Sequence, residues 1–388
     1  MSVATLLDYM GDCRTMVLEE MRGMIPRDGR LGRVLYDLVF DYPLRDAKAL
    51  RPALCVATCC ALGGSLEAVS NSATVIELFH NAFLIHDDIE DGSEKRRAGP
   101  TLHRMHGLPV AINVGDAMFA LTLEPLLENT RLLDLGRALR ILKVIARMVR
   151  ESAEGQALEL AWIRDACWAL TDRDYLRMVH KKTSHYTFIT PVVVGAVVAG
   201  EVGERLGRLR LFATALGAAF QIQDDVLNLA GDEDRTGKEL DGDLWEGKHT
   251  LVLLHAVRSC SEAERRRATA ILRKGRPFDS SAADRMMPLR ELVDRLRADG
   301  QLSARSARVL ARGIDEAAET PDFKTADDVL FLRDLIRRQR SIDHARAVAI
   351  RRAQRARRTL TSVTRDWPAS VHRDFLHDLT TFVIERDH

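Results

Sequence analysis

The chain has 388 residues, a formal net charge of +1, 46% hydrophobic residues and only 5% aromatics. That length allows one large domain or two ordinary ones, and a composition rich in Leu, Ala, Arg and Glu without β-branched alternation is that of a helical protein. A nearly neutral chain has no global field to recruit nucleic acid or an anionic membrane, so any anion binding must be local.

The N-terminal stretch MSVATLLDYMGDCRTMVLEEM is amphipathic and acidic and lacks a signal-peptide h-region. Apolar residues recur at helical spacing over 3–25, 50–62, 72–91, 110–128, 132–162, 173–199, 207–230 and 250–258, with no βαβ rhythm between them. The uncharged run 186–200 is too short and Gly-broken for a membrane span. Cys13, Cys55, Cys59, Cys60, Cys167 and Cys260 form no CxxC pair, which fits core thiols in a reducing compartment, so a cytoplasmic location is expected. From about 260 to 325 the chain is more charged and less apolar, reading as a divergent helical segment or insertion within a single domain spanning 1–388. The basic run RRAQRARR (351–358) reads as a solvated helix face.

Two stretches carry the chemistry. In HDDIEDGSEKRR (86–97), Asp87 and Asp91 lie four apart and Asp88 and Asp91 three apart, so a helix is expected to present all three carboxylates on one side of its end. At an effective dielectric of ~20, two like charges ~4 Å apart cost about 4 kcal/mol, so such a cluster calls for a cation. Oxygen ligands without a Cys or His cage suit Mg²⁺ bridging to a phosphate. Arg96 and Arg97 follow after a Gly-Ser break, and their planar donor forks match phosphate oxygens. An exposed acidic helix end is the plain alternative. A helical His-Asp phosphohydrolase site would need His80, His86 and Asp87 together, but adjacent His86 and Asp87 point about 100° apart.

The second stretch, FQIQDDVLNLAGDEDRTGKELDGDLWEGK (220–248), repeats the pattern: Asp224, Asp225 and Asn228 share a helical side, with Lys238 and Lys248 behind. If both ends face one cavity, they suit Mg²⁺ ions around a pyrophosphate.

These two stretches resemble the aspartate-rich motifs of the trans-isoprenyl diphosphate synthases, and the order of further motifs agrees. DAKALRP (46–52) is similar to the family's GGKxxRP element, with the Gly pair replaced by Asp46-Ala47; GQALEL (155–160) resembles GQxxDL, with Glu159 for Asp; HKKTSHYTFITP (180–191) carries Lys182 and Thr183. The resemblance implies an all-α bundle of antiparallel helices around a central apolar cavity, and a homodimer. It implies that Asp87, Asp91 and Asp224 bind metal, three Mg²⁺ ions in all, on an allylic diphosphate, with Arg96, Lys182 and Lys238 adding donors. It places Lys48, Arg51, His80 and Arg97 on isopentenyl diphosphate, Thr183 and Gln221 as neutral dipoles beside an allylic cation, and Lys248 over the closed site. Asn228 stands where many relatives have Asp and is similar to the form in eukaryotic-type geranylgeranyl diphosphate synthases.

Bulky side chains on the first helix stop chain growth in the family. Ala82 leaves room five residues before the first Asp, Phe83 remains four before it, and Met118 and Phe119 are expected as a deeper floor, which favours a C20 product. A class I terpene cyclase of the same fold would not need Lys48, Arg51, His80 and Arg97. A weakly active subunit of a heteromeric synthase would be expected to lose one Asp motif.

Overall fold

Ser65 opens the helix that carries the first aspartates: its side chain accepts from the Ala68 amide and relieves one of the unpaired donors of the first turn. This first-motif helix runs Leu66–Glu90, and every residue from Val69 to Ala82 is buried. A helix buried on every side belongs inside a bundle, and its polar residues, among them Asn71, Glu77, His80 and Asn81, are buried with it. The computed structural model describes residues 3–26, 29–45, 47–97, 99–230, 241–275, 282–319 and 323–385. Among them the fold is all-α, with a two-residue ribbon of Lys95–Arg96 against Gly99–Pro100 as the one sheet.

The expected helices form with shifted ends. Val3–Met24, Leu50–Ala61 and Leu135–Arg164 match their predicted spans closely. The span expected over 110–128 breaks at Thr122 into Leu108–Leu121 and Leu123–Leu132. There the Thr122 hydroxyl donates to the Phe119 carbonyl at 2.6 Å, and Pro125 has no amide to continue the ladder. By composition 108–132 is long and apolar enough to cross a membrane.

The span expected over 173–199 is a composite. Thr171 and Asp174 form a reciprocal cap for Asp172–Val179, His180–Ile189 is π-helical, and Thr190–Val198 is α-helical with Pro191 in its first turn. All of Thr190–Val198 is buried, and it packs so tightly on Leu50–Ala61 that a Cβ on Gly195 would collide with the Cys55 carbonyl. The second-motif helix, Gly203–Ala230, lies along Ser341–Val363, whose Ala353, Ala356 and Leu360 are buried against it. Arg351, Arg355, Arg357 and Arg358 point outward, so the basic run is the solvated face expected of it. Val371–Glu385 closes the bundle, with Phe375 stacked on Tyr9 of the N-terminal helix at 4.5 Å.

In the charged segment, Glu262–Leu272 packs on the core, whereas Ala282–Ala298 and Ala304–Glu319 form a hairpin that leaves Leu289, Leu292, Val309 and Leu310 exposed. The six cysteines are free thiols.

Two core histidines are held neutral. Burial pushes His185 and His249 from 6.5 down to about 4, although Glu151 and Glu159 respectively work the other way. Between pH 6.5 and 4 the unfolded chain therefore binds protons that the native state refuses, so this part of the stability is complete above pH 6.5 and is lost as pH falls toward 4. His249→Gln is expected to flatten the fall in urea midpoint between pH 7 and pH 5 relative to wild type; an unchanged slope would contradict a neutral, buried His249.

Candidate active site

The first acidic helix end divides its carboxylates, contrary to the expectation that all three share one side. Asp87 and Asp91, one turn apart, face the bundle interior. Asp88 turns the other way: it is fully buried, accepts from the Tyr42 hydroxyl at 2.6 Å and is clasped by Arg96, whose Nε lies 2.9 Å away. Successive helical residues diverge by about 100°, so a pair spaced by four meets while its neighbour faces elsewhere. Arg96, expected as a diphosphate donor, is thus committed to Asp88, which keeps the guanidinium firmly protonated despite burial. The pair anchors the ribbon after the helix, as does Arg45, which donates to the Arg96 carbonyl at 2.7 Å and the Pro100 carbonyl at 2.8 Å.

Facing Asp87 and Asp91 are two lysines from distant parts of the chain. Lys182 lies 2.9 Å from Asp87 and also pairs with Glu159; Lys248 lies 2.9 Å from Asp91 and 2.8 Å from Glu246. Burial works against the Asp87 charge, but Lys182, Lys248 and Arg96 outweigh it and hold the carboxyl below the usual range. Burial dominates at Asp91 and raises it despite Lys248, with Asp87 and Glu159 adding repulsion.

Lys182 reaches this position through the π-helical turn. The opening residue of the GQALEL motif, Gly155, lets Leu135–Arg164 touch that turn: a Cβ there would fall inside the Lys182 backbone. On the other side Gly217 does the same, with the Ser184 side chain 2.8 Å from where its Cβ would be. Thr183 is buried between these contacts.

The second acidic helix end lies beside the returning chain that carries Asp243 and Lys248. Asp225 is buried, accepts from the Tyr175 hydroxyl at 2.7 Å and the Gln221 amide at 2.8 Å, and is raised by burial and by Asp243. Asp224 is half-buried beside it. Asn228 accepts from the Asp243 amide at 3.0 Å, so its side chain ties down the returning chain instead of presenting a free oxygen. Lys238 lies outside the described residues.

A third group occupies a cleft of about 120 Å³ lined by Lys48, Arg51, His80 and Arg97, together with Glu77 and Phe382. Arg51 stacks on Tyr186 at 4.6 Å and donates to Thr187 at 2.9 Å. Arg97 has a left-handed backbone (φ 50°), which aims its guanidinium at the Tyr42 carbonyl, 2.6 Å away, and at His80 Nε2, 3.4 Å away. Such a conformation in a non-glycine residue costs on the order of 1–3 kcal/mol and persists only where surroundings enforce it. Burial and the nearby arginines Arg51, Arg97 and Arg96 hold His80 well below 6.5, so it is a neutral ring. His80 lies two turns before Asp87 on the same face, which separates this cleft from the carboxylates by about 10 Å. His86 is directed instead at Asp116, 3.6 Å away, and the edge of Phe119; no His-Asp metal site forms.

The expected aromatic floor is partly as foreseen. Phe83 and Phe119 meet edge to face at 5.4 Å, joined by Phe79 and Tyr186. Met118 turns away with Ala82 into the separate cluster around Tyr42 and Met21.

Glu159 showed in the sequence only as a departure from a motif, and Glu246 only as a neighbour of Lys248. Tyr42, Glu77, Tyr186 and Phe382 gave no local signal, because their roles come from packing across 30 or more residues. The donor set facing the cleft is all oxygen. Among the described residues no three acidic, His or Cys side chains converge on one point. That fits a hard cation partly coordinated by a bound phosphate and water, not one caged by protein.

An all-helical bundle with two acidic helix ends, the first of them facing two lysines, and a separate arginine-lined cleft two turns away, defines the class of isoprenoid-synthase folds. A sequence model of the polyprenyl synthetase family matches residues 33–287, and the chain belongs to that family as a prenyltransferase. It is 35% identical over 254 residues to a short chain isoprenyl diphosphate synthase of Methanocaldococcus jannaschii, covering 66% of this chain and 74% of that one. It is 29% identical over 265 residues to a geranylgeranyl diphosphate synthase of Sulfolobus acidocaldarius, covering 68% and 78%. The crystal structure of geranylgeranyl pyrophosphate synthetase from Pyrococcus horikoshii superposes with a TM-score of 0.78 at 28% identity, covering 100% of both chains.

Gly155→Ala is expected to lower kcat/KM at least tenfold, about 1.4 kcal/mol of transition-state stabilisation, by displacing Lys182. Near-normal kinetics in a folded variant would show that the close approach does not set the lysine.

Proposed function

We propose that the chain condenses isopentenyl diphosphate head-to-tail with an allylic diphosphate, giving all-trans geranylgeranyl diphosphate (C20) and pyrophosphate. The observation that carries this reading is the pair of separate anion-ready sites on one helix face, Lys48, Arg51, His80 and Arg97 in one, Asp87 and Asp91 with their lysines in the other. A terpene cyclase has no use for the first.

In this reading Lys48, Arg51, Arg97 and neutral His80 bind the isopentenyl diphosphate head, which turns encounter into a positioned reaction. Asp87, Asp91 and Asp224 would hold Mg²⁺, which would supply positive charge to the diphosphate leaving group. Lys182, Lys238 and Lys248 supply further positive charge to the same group, Lys182 and Lys248 leaving their carboxylates to do so. Arg96 acts one step back, fixing the ribbon that delivers Arg97. The allylic C–O bond ionises, the isopentenyl double bond attacks the cation, and loss of a proton to pyrophosphate restores a double bond. Thr183 and Gln221 would stabilise the cation as neutral dipoles, Gln221 while bonded to Asp225. The layer of Phe83 and Phe119 limits chain growth.

The exposed leucine stripe supports a homodimer. Leu108, Ile112, Leu123, Leu127, Leu135 and Leu139 are each at least 45% exposed along three successive helices. Exposed apolar side chains repeated along three successive helices are covered when a symmetry copy of the chain packs on them. A cytoplasmic location accords with six free thiols.

Incubation with Mg²⁺, isopentenyl diphosphate and each allylic starter is expected to yield a C20 diphosphate by mass spectrometry. Asp87→Ala and Asp224→Ala are each expected to abolish it with unchanged circular dichroism. No consumption of isopentenyl diphosphate by the wild type would sink the proposal. In sedimentation velocity the wild type is expected as a dimer and Leu127→Glu as a monomer; a monomeric wild type, or a variant that stays dimeric, would contradict the leucine interface.

A further inference from the structure

The charged segment departs from the bundle after Glu262–Leu272 and returns through Phe323–Thr325. At the return the Lys324 amide donates to the Gly275 carbonyl at 2.9 Å, and Lys274 pairs with Asp328 at 2.7 Å. The Lys324 side chain runs inward and is 3% exposed. Its ammonium donates to the Trp245 carbonyl at 2.9 Å and the Lys274 carbonyl at 2.5 Å.

An ammonium buried on two neutral carbonyls is costly to desolvate, and burial pushes Lys324 down to about 8 even with Asp328 and Glu246 opposing. Both acceptors sit at helix ends, which explains the placement. Trp245 lies in the last turn of the short helix Gly242–Glu246, and Lys274 lies just past the end of Glu262–Leu272. Helix C-termini carry unpaired carbonyls and partial negative charge, and a single cation here serves two of them.

Just beyond Trp245 the chain enters the active site. Gly247 ends the short helix in the left-handed region (φ 73°), so close to its surroundings that a Cβ would lie 3.1 Å from the Leu272 carbonyl and 3.5 Å from Lys324 Nζ. Lys248 comes next, with Glu246 at 2.8 Å and Asp91 at 2.9 Å. The other end of the short helix is held from the same returning segment: Arg333 pairs with Asp241 at 2.7 Å.

Building on the proposed condensation, we infer that Lys324 is a positioning residue: by gripping the Trp245 carbonyl it fixes the Trp245–Gly247 turn and so sets Lys248 opposite Asp91. The charged segment is thereby tied to the allylic side of the site. The isopentenyl cleft, built from Lys48, Arg51, His80 and Arg97, is untouched by it.

The test is steady-state kinetics with each diphosphate varied in turn. Lys324→Met is expected to raise the allylic diphosphate KM at least about fivefold, the factor one ordinary hydrogen bond gives, and to leave the isopentenyl diphosphate KM within about twofold. Gly247→Ala, which strains the same turn, is expected to reproduce the split and decides alone if Lys324→Met does not fold. Equal rises in both KM values, no change in either, or failure of both variants to fold would overturn the positioning role. A wild type that consumes no isopentenyl diphosphate would instead overturn the reaction on which it rests.

Discussion

The structure turns on the pairing of two partly buried carboxylates with two lysines: Asp87 with Lys182 and Asp91 with Lys248. Four charges of mixed sign inside a helical bundle are expensive to desolvate, and breaking such a pair leaves an uncompensated charge costing several kcal/mol. Much of the surrounding architecture serves to make those pairs possible. The π-helical turn brings Lys182 inward, the short helix before Gly247 brings Lys248 inward, and Glu159 and Glu246 supply each lysine with a second partner. The arrangement is electrostatically complete but exchangeable. A ligand carrying two or more negative charges, arriving with divalent cations, offers the lysines phosphate oxygens and the carboxylates metal.

The separation of the two anion sites follows from one helix. His80 and Asp87 share a face two turns apart, so in the proposed reaction one helix, buried without interruption from Val69 to Ala82, sets the distance between the heads of the two substrates. Phe79, Phe83 and Phe119, on the same helix and its neighbour, meet in one aromatic layer.

Much of this was legible in the sequence. Helical periodicity located the bundle, and the two acidic helix ends with basic residues behind them marked the site. Spacing failed where orientation mattered: Asp88 fits an i, i+3 pattern with Asp91, yet it faces Tyr42 and Arg96 because the first-motif helix is buried on that side too. The split of 173–199 was invisible because a π-turn leaves no compositional trace. Glu77, Tyr42 and Phe382 contribute through contacts between remote segments, which periodicity does not encode. The charged segment showed as a change of texture, but its link to the site depends on the single side chain of Lys324 reaching the Trp245 carbonyl.

The central claim is that one anion site needs metal and the other does not. Isothermal titration of isopentenyl diphosphate and of an unreactive allylic thiodiphosphate, each with and without Mg²⁺, tests it most directly. The account predicts that isopentenyl diphosphate binds equally well in either condition, whereas the allylic analogue binds only with Mg²⁺. Metal dependence for both ligands, or for neither, would contradict it.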